Sequence, residues 1–339
     1  MAENLMDRVY AKAKANPKRV AFPEACDLKM LQAMVEVCEK GYADVVVVGT
    51  IDEVKKLVSD NKLNDKDFVY VDTEDEEYKN AVLQRYLKLP NIIFGEKSLS
   101  RRMKDPLYFA LMMEAVGDVD VTFGGILSST GDFILAAQTI IGLQDNLDTI
   151  SSVGIAEFPN YTFSDGGNMI ALGDCAVCAN PSASELASIA IATCDTVKAV
   201  TGWEPKCAML SYSTCGSASG ELVDKVRTAI EIVKNKRPDI KIDGEFQLDS
   251  AIIPEVAAKK VKRESEVAGC ANVLIFPDLN AGNIGVKLVQ RFAGADAYGP
   301  LLQGFKKICS DCSRGAPVSE FVCIIAISVV RAGELENGK

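Results

Sequence analysis

The chain has 339 residues, 37 Lys plus Arg against 47 Asp plus Glu, and no histidine, for a formal net charge of −10 and a sequence pI of about 4.8. Without an imidazole, Ser-His-Asp triads, Cys-His pairs, histidine-ligated zinc and a histidine general base are excluded. The acidity argues against a broad nucleic-acid surface, which needs a cationic face, so an anionic substrate must be captured by clustered Arg, Lys or backbone N–H groups. The length suggests two domains of roughly 100–200 residues each, and no run of about 18 apolar residues offers a membrane span. Met1-Ala2-Glu3-Asn4 lacks the charged-then-apolar pattern of a signal peptide, so a cytoplasmic location is expected.

The odd count of eleven cysteines, with no export signal, predicts reduced thiols. Two CxxC pairs, Cys175/Cys178 and Cys309/Cys312, resemble halves of a metal site. Cys175 and Cys178 lie three apart in a short apolar stretch, where a strand would turn them to opposite faces. Small buried residues are the preferred reading, and no metal site is assigned.

In chain order, residues 19–23 read as a short strand and 27–40 as a helix with apolar residues at Leu28, Leu31, Met34, Val35 and Cys38. Residues 43–49 are a strand apolar on both faces, and 52–59 a second helix. Further on come a helix from Ser182, with Glu185 at capping-box spacing, a strand at 205–210, a helix at 221–235 and a strand at 271–277. A loop at 278–283 leads into a helix at 284–292. A last helix at 317–325 overlaps a strand-like apolar stretch at 323–330. This alternation predicts an α/β protein with parallel sheets covered by helices on both faces.

Ligands in such sheets bind beyond the carboxyl ends of the strands, which directs attention to four polar loops. Residues 124–131 carry Ser128, Ser129 and Thr130, followed by Asp132 as a candidate helix cap. Residues 211–220 hold Tyr212, Ser213 and Thr214 among hydroxyls and glycines ahead of a helix, an anion cradle in outline or an ordinary Ser-rich turn. Residues 278–283 offer Asn280 and Asn283. In the fourth, Ser313-Arg314-Gly315 sets a hydroxyl beside a bidentate cation, suited to a phosphate or a developing oxyanion, with Glu320 seven residues beyond Ser313.

Together these strings resemble the phosphate acetyltransferase (phosphotransacetylase) family. The resemblance rests on Phe22-Pro23-Glu24, the stretches 104–109, 124–132, 180–183, 209–214 and 276–285, and Asp311-Cys312-Ser313-Arg314-Gly315, in family order along the chain. It implies two α/β domains of the isocitrate/isopropylmalate dehydrogenase-like type with an interdomain active cleft. Domain I is 1–145 plus 299–339 and domain II is 146–298; a homodimer is usual. The implied reaction is acetyl-CoA plus phosphate giving acetyl phosphate plus CoA, in a ternary complex, with CoA as a substrate and no prosthetic group or metal. The resemblance makes Arg314 the phosphate ligand, Ser313 the oxyanion or thiol contact and Glu320 the carboxylate base. Ser128, Ser129, Thr130, Tyr212, Ser213, Thr214, Asn280 and Asn283 become substrate contacts. No nucleic acid or membrane partner is implied.

Three positions depart from the family. Glu320 stands where an Asp is usual, one methylene longer. Leu135 stands where an Arg is common, and 88–95 lacks the family's basic run; the resemblance implies that these lost cations help bind the phosphates of CoA. Arg85, Lys88, Arg101 and Arg102 are the nearby substitutes. A propionyl- or butyryl-specific transferase is the alternative within the class, since one methylene is worth only about 1–3 kcal/mol in a pocket. A non-catalytic ligand sensor is the alternative outside it. A nicotinamide dehydrogenase is disfavoured, because no GxGxxG follows the first strand.

Overall fold

The computed structural model describes residues 4–164 and 167–337. The chain divides into two compact units, Met1–Gly142 with Phe305–Lys339, and Leu143–Gly304.

The first unit opens with α1 (Leu5–Ala15), β1 (Lys18–Phe22), α2 (Leu28–Glu39), β2 (Ala43–Gly49), α3 (Ile51–Asp60) and β3 (Val69–Asp72). It continues through α4 (Glu76–Tyr86), α5 (Glu96–Arg102), α6 (Pro106–Val116), β4 (Val121–Gly124) and α7 (Thr130–Ile140). The second unit holds β5 (Ser151–Glu157), β6 (Met169–Gly173), α8 (Ala183–Thr201), β7 (Lys206–Leu210), α9 (Glu221–Lys236) and β8 (Lys241–Phe246). It ends with α10 (Leu248–Ile252), α11 (Pro254–Lys260), β9 (Val273–Ile275), α12 (Leu279–Phe292) and β10 (Asp296–Gln303). The chain then returns to the first unit as β11 (Ile308–Asp311) and α13 (Val318–Asn337).

The first unit's sheet has the order β11-β4-β1-β2-β3 and is parallel throughout. Helices α6 and α7 pack on one face, α2 and α13 on the other. Phe22 of β1, Phe123 of β4 and Phe321 of α13 are fully buried and meet edge-on, with ring centroids 5.9 and 6.3 Å apart. Each such ring contributes about 1.5–3 kcal/mol by leaving water. They tie the sheet to the returning helix directly beneath the carboxyl ends of the strands.

The second unit's sheet has the order β10-β5-β6-β9-β7-β8. Strands β6, β9, β7 and β8 are parallel, whereas β10 and β5 run antiparallel to their neighbours. The sequence reading missed β5 and β10. β5 begins Ser151-Ser152, two polar residues that are fully buried, so no apolar run marks it. The sequence-based cut at 298/299 falls within β10, which pairs with β5 from Asp296 to Gln303.

Three local expectations are corrected. The strand-like stretch at 323–330 is the middle of α13, one continuous helix. Ile324, Ile325, Ala326, Ile327, Val329 and Val330 are all buried, so a helix covered on every side shows no polar stripe and reads like a strand. The cap of α7 is Ser129, not Asp132: Ser129 Oγ accepts from Asp132 N and donates to the Asp132 carboxylate. α12 starts at Leu279, not at 284. Asp278 caps it by accepting from Ala281 N. Gly282 lets its first turn lie against the Asp174 carbonyl, which an added Cβ would approach to 2.1 Å. The capping box at Ser182 and Glu185 is present as expected.

Candidate active site

In the first unit three neighbouring strands, β11, β4 and β1, end side by side, and each is followed by a polar segment. After β1 comes Glu24, which is 4% exposed. Its carboxylate accepts the N–H groups of Ile126 (2.6 Å), Leu127 (2.8 Å) and Ser128 (3.0 Å), so the loop after β4 is wrapped around it. Gly125, at φ +93°, makes the bend; a Cβ there would lie 2.7 Å from Asp311 Cβ. Two contacts bind this loop to the end of β11. Cys312 N donates to Gly124 O at 3.0 Å, and Thr130 Oγ1 donates to Asp311 Oδ2 at 2.7 Å. Burial raises the Asp311 carboxyl above its usual range against the pull of the Thr130 hydrogen bond, and the charge of Glu24 adds to the rise.

Ser313 and Arg314 project from the next turn and are exposed, and Ser128 and Thr130 stand on the loop beside them. Arg314 Nη2 donates to Leu127 O at 2.9 Å. From behind, Lys29 Nζ, in the first turn of α2, donates to the carbonyls of Arg314 (3.3 Å) and Ala316 (3.2 Å). Among the described residues no carboxylate pairs with Arg314, whereas Arg19, Arg85, Arg227, Arg237 and Arg263 are all ion-paired. Glu320 lies half-buried in the first turn of α13, and burial raises its carboxyl above the usual range. The Cys312 thiol is pushed far up, first by burial and then by the charges of Asp311, Glu24, Glu320 and Asp27. It stays protonated at neutral pH and is a poor nucleophile. Backbone bonds tie the Cys312-Ser313-Arg314 turn to the start of α13: Ala316 N donates to Ser313 O and Glu320 N to Pro317 O, both at 3.0 Å.

The second unit carries the remaining expected contacts at the carboxyl ends of β7 and β9. Tyr212 is exposed, but Ser213 and Thr214 are buried and used internally. Ser213 Oγ donates to Glu245 Oε1 at 2.7 Å, Gly216 N donates to the same oxygen at 3.0 Å, and Arg227 Nε donates to Oε2 at 2.9 Å. Burial pushes the Glu245 carboxyl up, but these hydrogen bonds outweigh it and hold it at about 2. Thr214 Oγ1 accepts from Gln247 N. The Ser-rich loop that resembled an anion cradle is thus folded around a carboxylate of its own unit. Asp174 does the same after β6, accepting from Ser152, Ala176, Val177 and Cys178 N–H groups. Asn283 Nδ2 donates to Cys175 O of that turn at 3.2 Å, and Asn280 is exposed one turn earlier on α12. Cys175, Cys309 and Cys312 are buried, Cys178 half-buried, and all eleven thiols are free. Among the described residues no group of three Cys, Asp or Glu converges as a metal site would require.

Sequence reading gave no role to Glu24, Asp174 or Glu245. For Glu24 the available signal was an acid directly after the strand at 19–23; Asp174 and Glu245 follow or end strands, β6 and β8, that the sequence reading did not assign.

The cations considered as substitutes separate cleanly. Arg85 grips Asp118 through both terminal nitrogens and donates to Val116 O, at the amino end of β4, away from the site. Lys88 and Arg101 are exposed. Arg102 lies just before α6. That helix packs beside α7, runs away from the carboxyl ends and finishes near β4's start, so Arg102 is on the side where α7 begins. Its guanidinium sits 4.3 Å from the Phe94 ring centroid and 5.2 Å from that of Tyr108, and Nη1 donates to Tyr108 Oη at 3.2 Å. Its Nε is buried without a partner, and no carboxylate pairs with it among the described residues. Leu135 on α7 is 59% exposed.

The model of the phosphate acetyl/butaryl transferase family matches residues 4–329. A phosphate acetyltransferase of Thermoanaerobacterium thermosaccharolyticum is 41% identical over 97% of this chain and 99% of its own. One of Clostridium acetobutylicum is 41% identical over 97% and 98%. A phosphotransacetylase structure from Streptococcus pyogenes superposes with a TM-score of 0.88 at 33% identity, covering 97% of this chain and 98% of that one. A 4-hydroxythreonine-4-phosphate dehydrogenase from Salmonella typhimurium, at 11% identity and a TM-score of 0.53, shares the fold alone.

Proposed function

Because the chain belongs to the phosphate acetyl/butaryl transferase family, we propose that it is a phosphate acetyltransferase, exchanging an acetyl group between coenzyme A and phosphate, and that Arg314 is its phosphate ligand. The observation that carries this reading is the state of Arg314. Its guanidinium is anchored on one backbone carbonyl, is free of carboxylates and stands beside Ser313, with Glu320 at the start of the following helix. Such a fork is suited to bidentate contact with a phosphoryl group.

In the thioester-forming direction Glu320 takes the proton from the CoA thiol, and its raised proton affinity suits it to that task. The thiolate adds to the acetyl carbonyl carbon, Ser313 donates to the oxygen that becomes negative, and the C–O bond to phosphate breaks as the carbonyl reforms. Arg314 offsets the charge on the departing phosphate. The protein's own thiol nearest this turn, Cys312, is held protonated, which favours direct transfer between the two substrates over an acyl-cysteine. Ser128 and Thr130 line the first unit's loop. Ser129 serves that loop as the helix cap. In the second unit Ser213 and Thr214 shape the loop that presents Tyr212, and Asn280 and Asn283 offer amides in the first turns of α12. Arg102 stands in for the absent family cations and takes the phosphates of CoA.

The protein works as a homodimer in the cytosol, where free thiols persist. Ile284, Leu288 and Phe292 form an exposed apolar stripe on α12, while Val286 and Val289 pack into the second unit's core, which leaves that stripe for a second copy. No described helix is long and apolar enough to cross a membrane.

The test is acetyl-CoA formation from acetyl phosphate and CoA. Arg314→Ala is expected to lower kcat/KM for acetyl phosphate by about a hundredfold or more, the scale of losing a charge-stabilising donor. Turnover near the wild-type level in that variant overturns the assignment of Arg314.

A further inference from the structure

The peptide group between Leu127 and Ser128 is held at both ends. Its N–H, that of Ser128, donates to Glu24 Oε1 at 3.0 Å, and its carbonyl, that of Leu127, accepts Arg314 Nη2 at 2.9 Å. We infer that Glu24 is a positioning residue for Arg314, acting through the Leu127–Ser128 peptide, so that the enzyme's affinity for its phosphate-bearing substrate depends on a carboxylate that need not touch it. The inference rests on the reading of Arg314 as the phosphate ligand.

Three observations carry it. Glu24 takes three consecutive N–H groups, those of Ile126, Leu127 and Ser128. Residues 126–128 cannot rotate without breaking charge-assisted hydrogen bonds, and the Leu127 carbonyl is left facing the guanidinium. A peptide whose N–H meets a carboxylate is also polarised, which makes its carbonyl a stronger acceptor for Arg314. Finally, the Leu127 carbonyl is the sole side-chain anchor of Arg314 among the described residues, so the fork's direction is set there rather than by an ion pair. Lys29 fixes the Arg314 backbone but not its guanidinium. Glu24 itself is 4% exposed and pairs with no cation among the described residues. Its partners are the loop's N–H groups, which place it close enough to the site to organise it.

Glu24→Gln keeps the shape and turns one acceptor oxygen into an amide NH2 group, a donor that faces N–H donors. In steady-state assays of thioester formation, its KM for acetyl phosphate is expected to rise about tenfold, the scale of a misdirected positioning group, with KM for CoA changed less than about twofold. A general loss of folded protein lowers kcat and moves neither KM. If Glu24→Gln does not accumulate as folded protein, Glu24→Asp, which keeps the charge but shortens the reach, reads the same split. In an Arg314→Lys background, whose ammonium has lost the fork, Glu24→Gln should add less than about twofold, because coupled residues are not additive. Equal changes in both KM values, unchanged KM values in folded variants, or a full-sized Glu24 effect in the Arg314→Lys background overturns the inference. Failure of the Arg314 reading shows separately, as wild-type acetyl phosphate kinetics in Arg314→Ala.

Discussion

Arg102 and Phe94 form a cation–π pair, the guanidinium carbon 4.3 Å from the ring centroid, and no carboxylate competes for that cation among the described residues. An arginine braced by rings keeps its donors directed and loses little freedom when an anion arrives. Arg102→Gln is therefore expected to raise KM for CoA about tenfold, the scale of one charge-assisted contact, while KM for acetyl phosphate stays within about twofold. Pantetheine, a thiol without phosphates, should be used equally by both proteins. A variant equally impaired with pantetheine argues against a phosphate contact.

The Glu320 carboxyl is raised from its ordinary 4.5 by burial. A base must be ionised to work, so thioester formation falls as pH drops through this raised value and is restored above it. Glu320→Gln should lose about a hundredfold or more in kcat, the scale of a general base, and lose that acid limb. A pH–rate profile of wild type and variant decides this; an unchanged limb in Glu320→Gln assigns it to another group.

Glu114 of α6 is fully buried, and burial raises its carboxyl to about 8; hydrogen bonds and the charge of Lys307 only partly oppose this. Cys309 Sγ donates to it at 3.6 Å, and Arg331 is buried nearby, its own pKa lowered to about 10 by burial despite the influence of Cys309. The folded chain keeps the Glu114 proton where the unfolded chain, above pH 4.5, has released it. Stability from this group is thus full below 4.5, declines as pH rises, and levels off above about 8. The slope is about 1.4 kcal/mol per pH unit while it lasts. Glu114→Gln, a neutral near-isostere, should flatten it. Urea midpoints from pH 5 to about 9 measure the difference, largest at the alkaline end; parallel curves for both proteins contradict it.

Much of the fold is legible in the sequence because most elements keep their period. The strand at 43–49 and the helices from Asp27 and Ser182 carry caps and spacing that survive into the structure. Legibility fails where an element is covered on all sides, as in α13, or is built from buried serines, as in β5. In the site, Ser313, Arg314 and Glu320 stand out because charge and hydroxyl are adjacent in the chain. Glu24 does not, because its partners lie 102 to 104 residues away and its meaning depends on strand order. The Ser213 loop misleads for a related reason. A loop rich in N–H and hydroxyl donors looks the same in sequence whether its anion is a substrate or the chain's own Glu245.

The returning segment has a consequence for biosynthesis. Arg314 meets Leu127 across 187 residues, and Thr130 meets Asp311 across 181. The whole of the second unit is therefore translated between the two halves of the candidate site. Until β11 emerges, β4 is the open edge of a four-stranded sheet, able to pair with another nascent chain. The second unit, already complete, can fold while the first waits. Ser313, Arg314 and Glu320 are thus added together, after the second unit, and the same step closes the exposed edge.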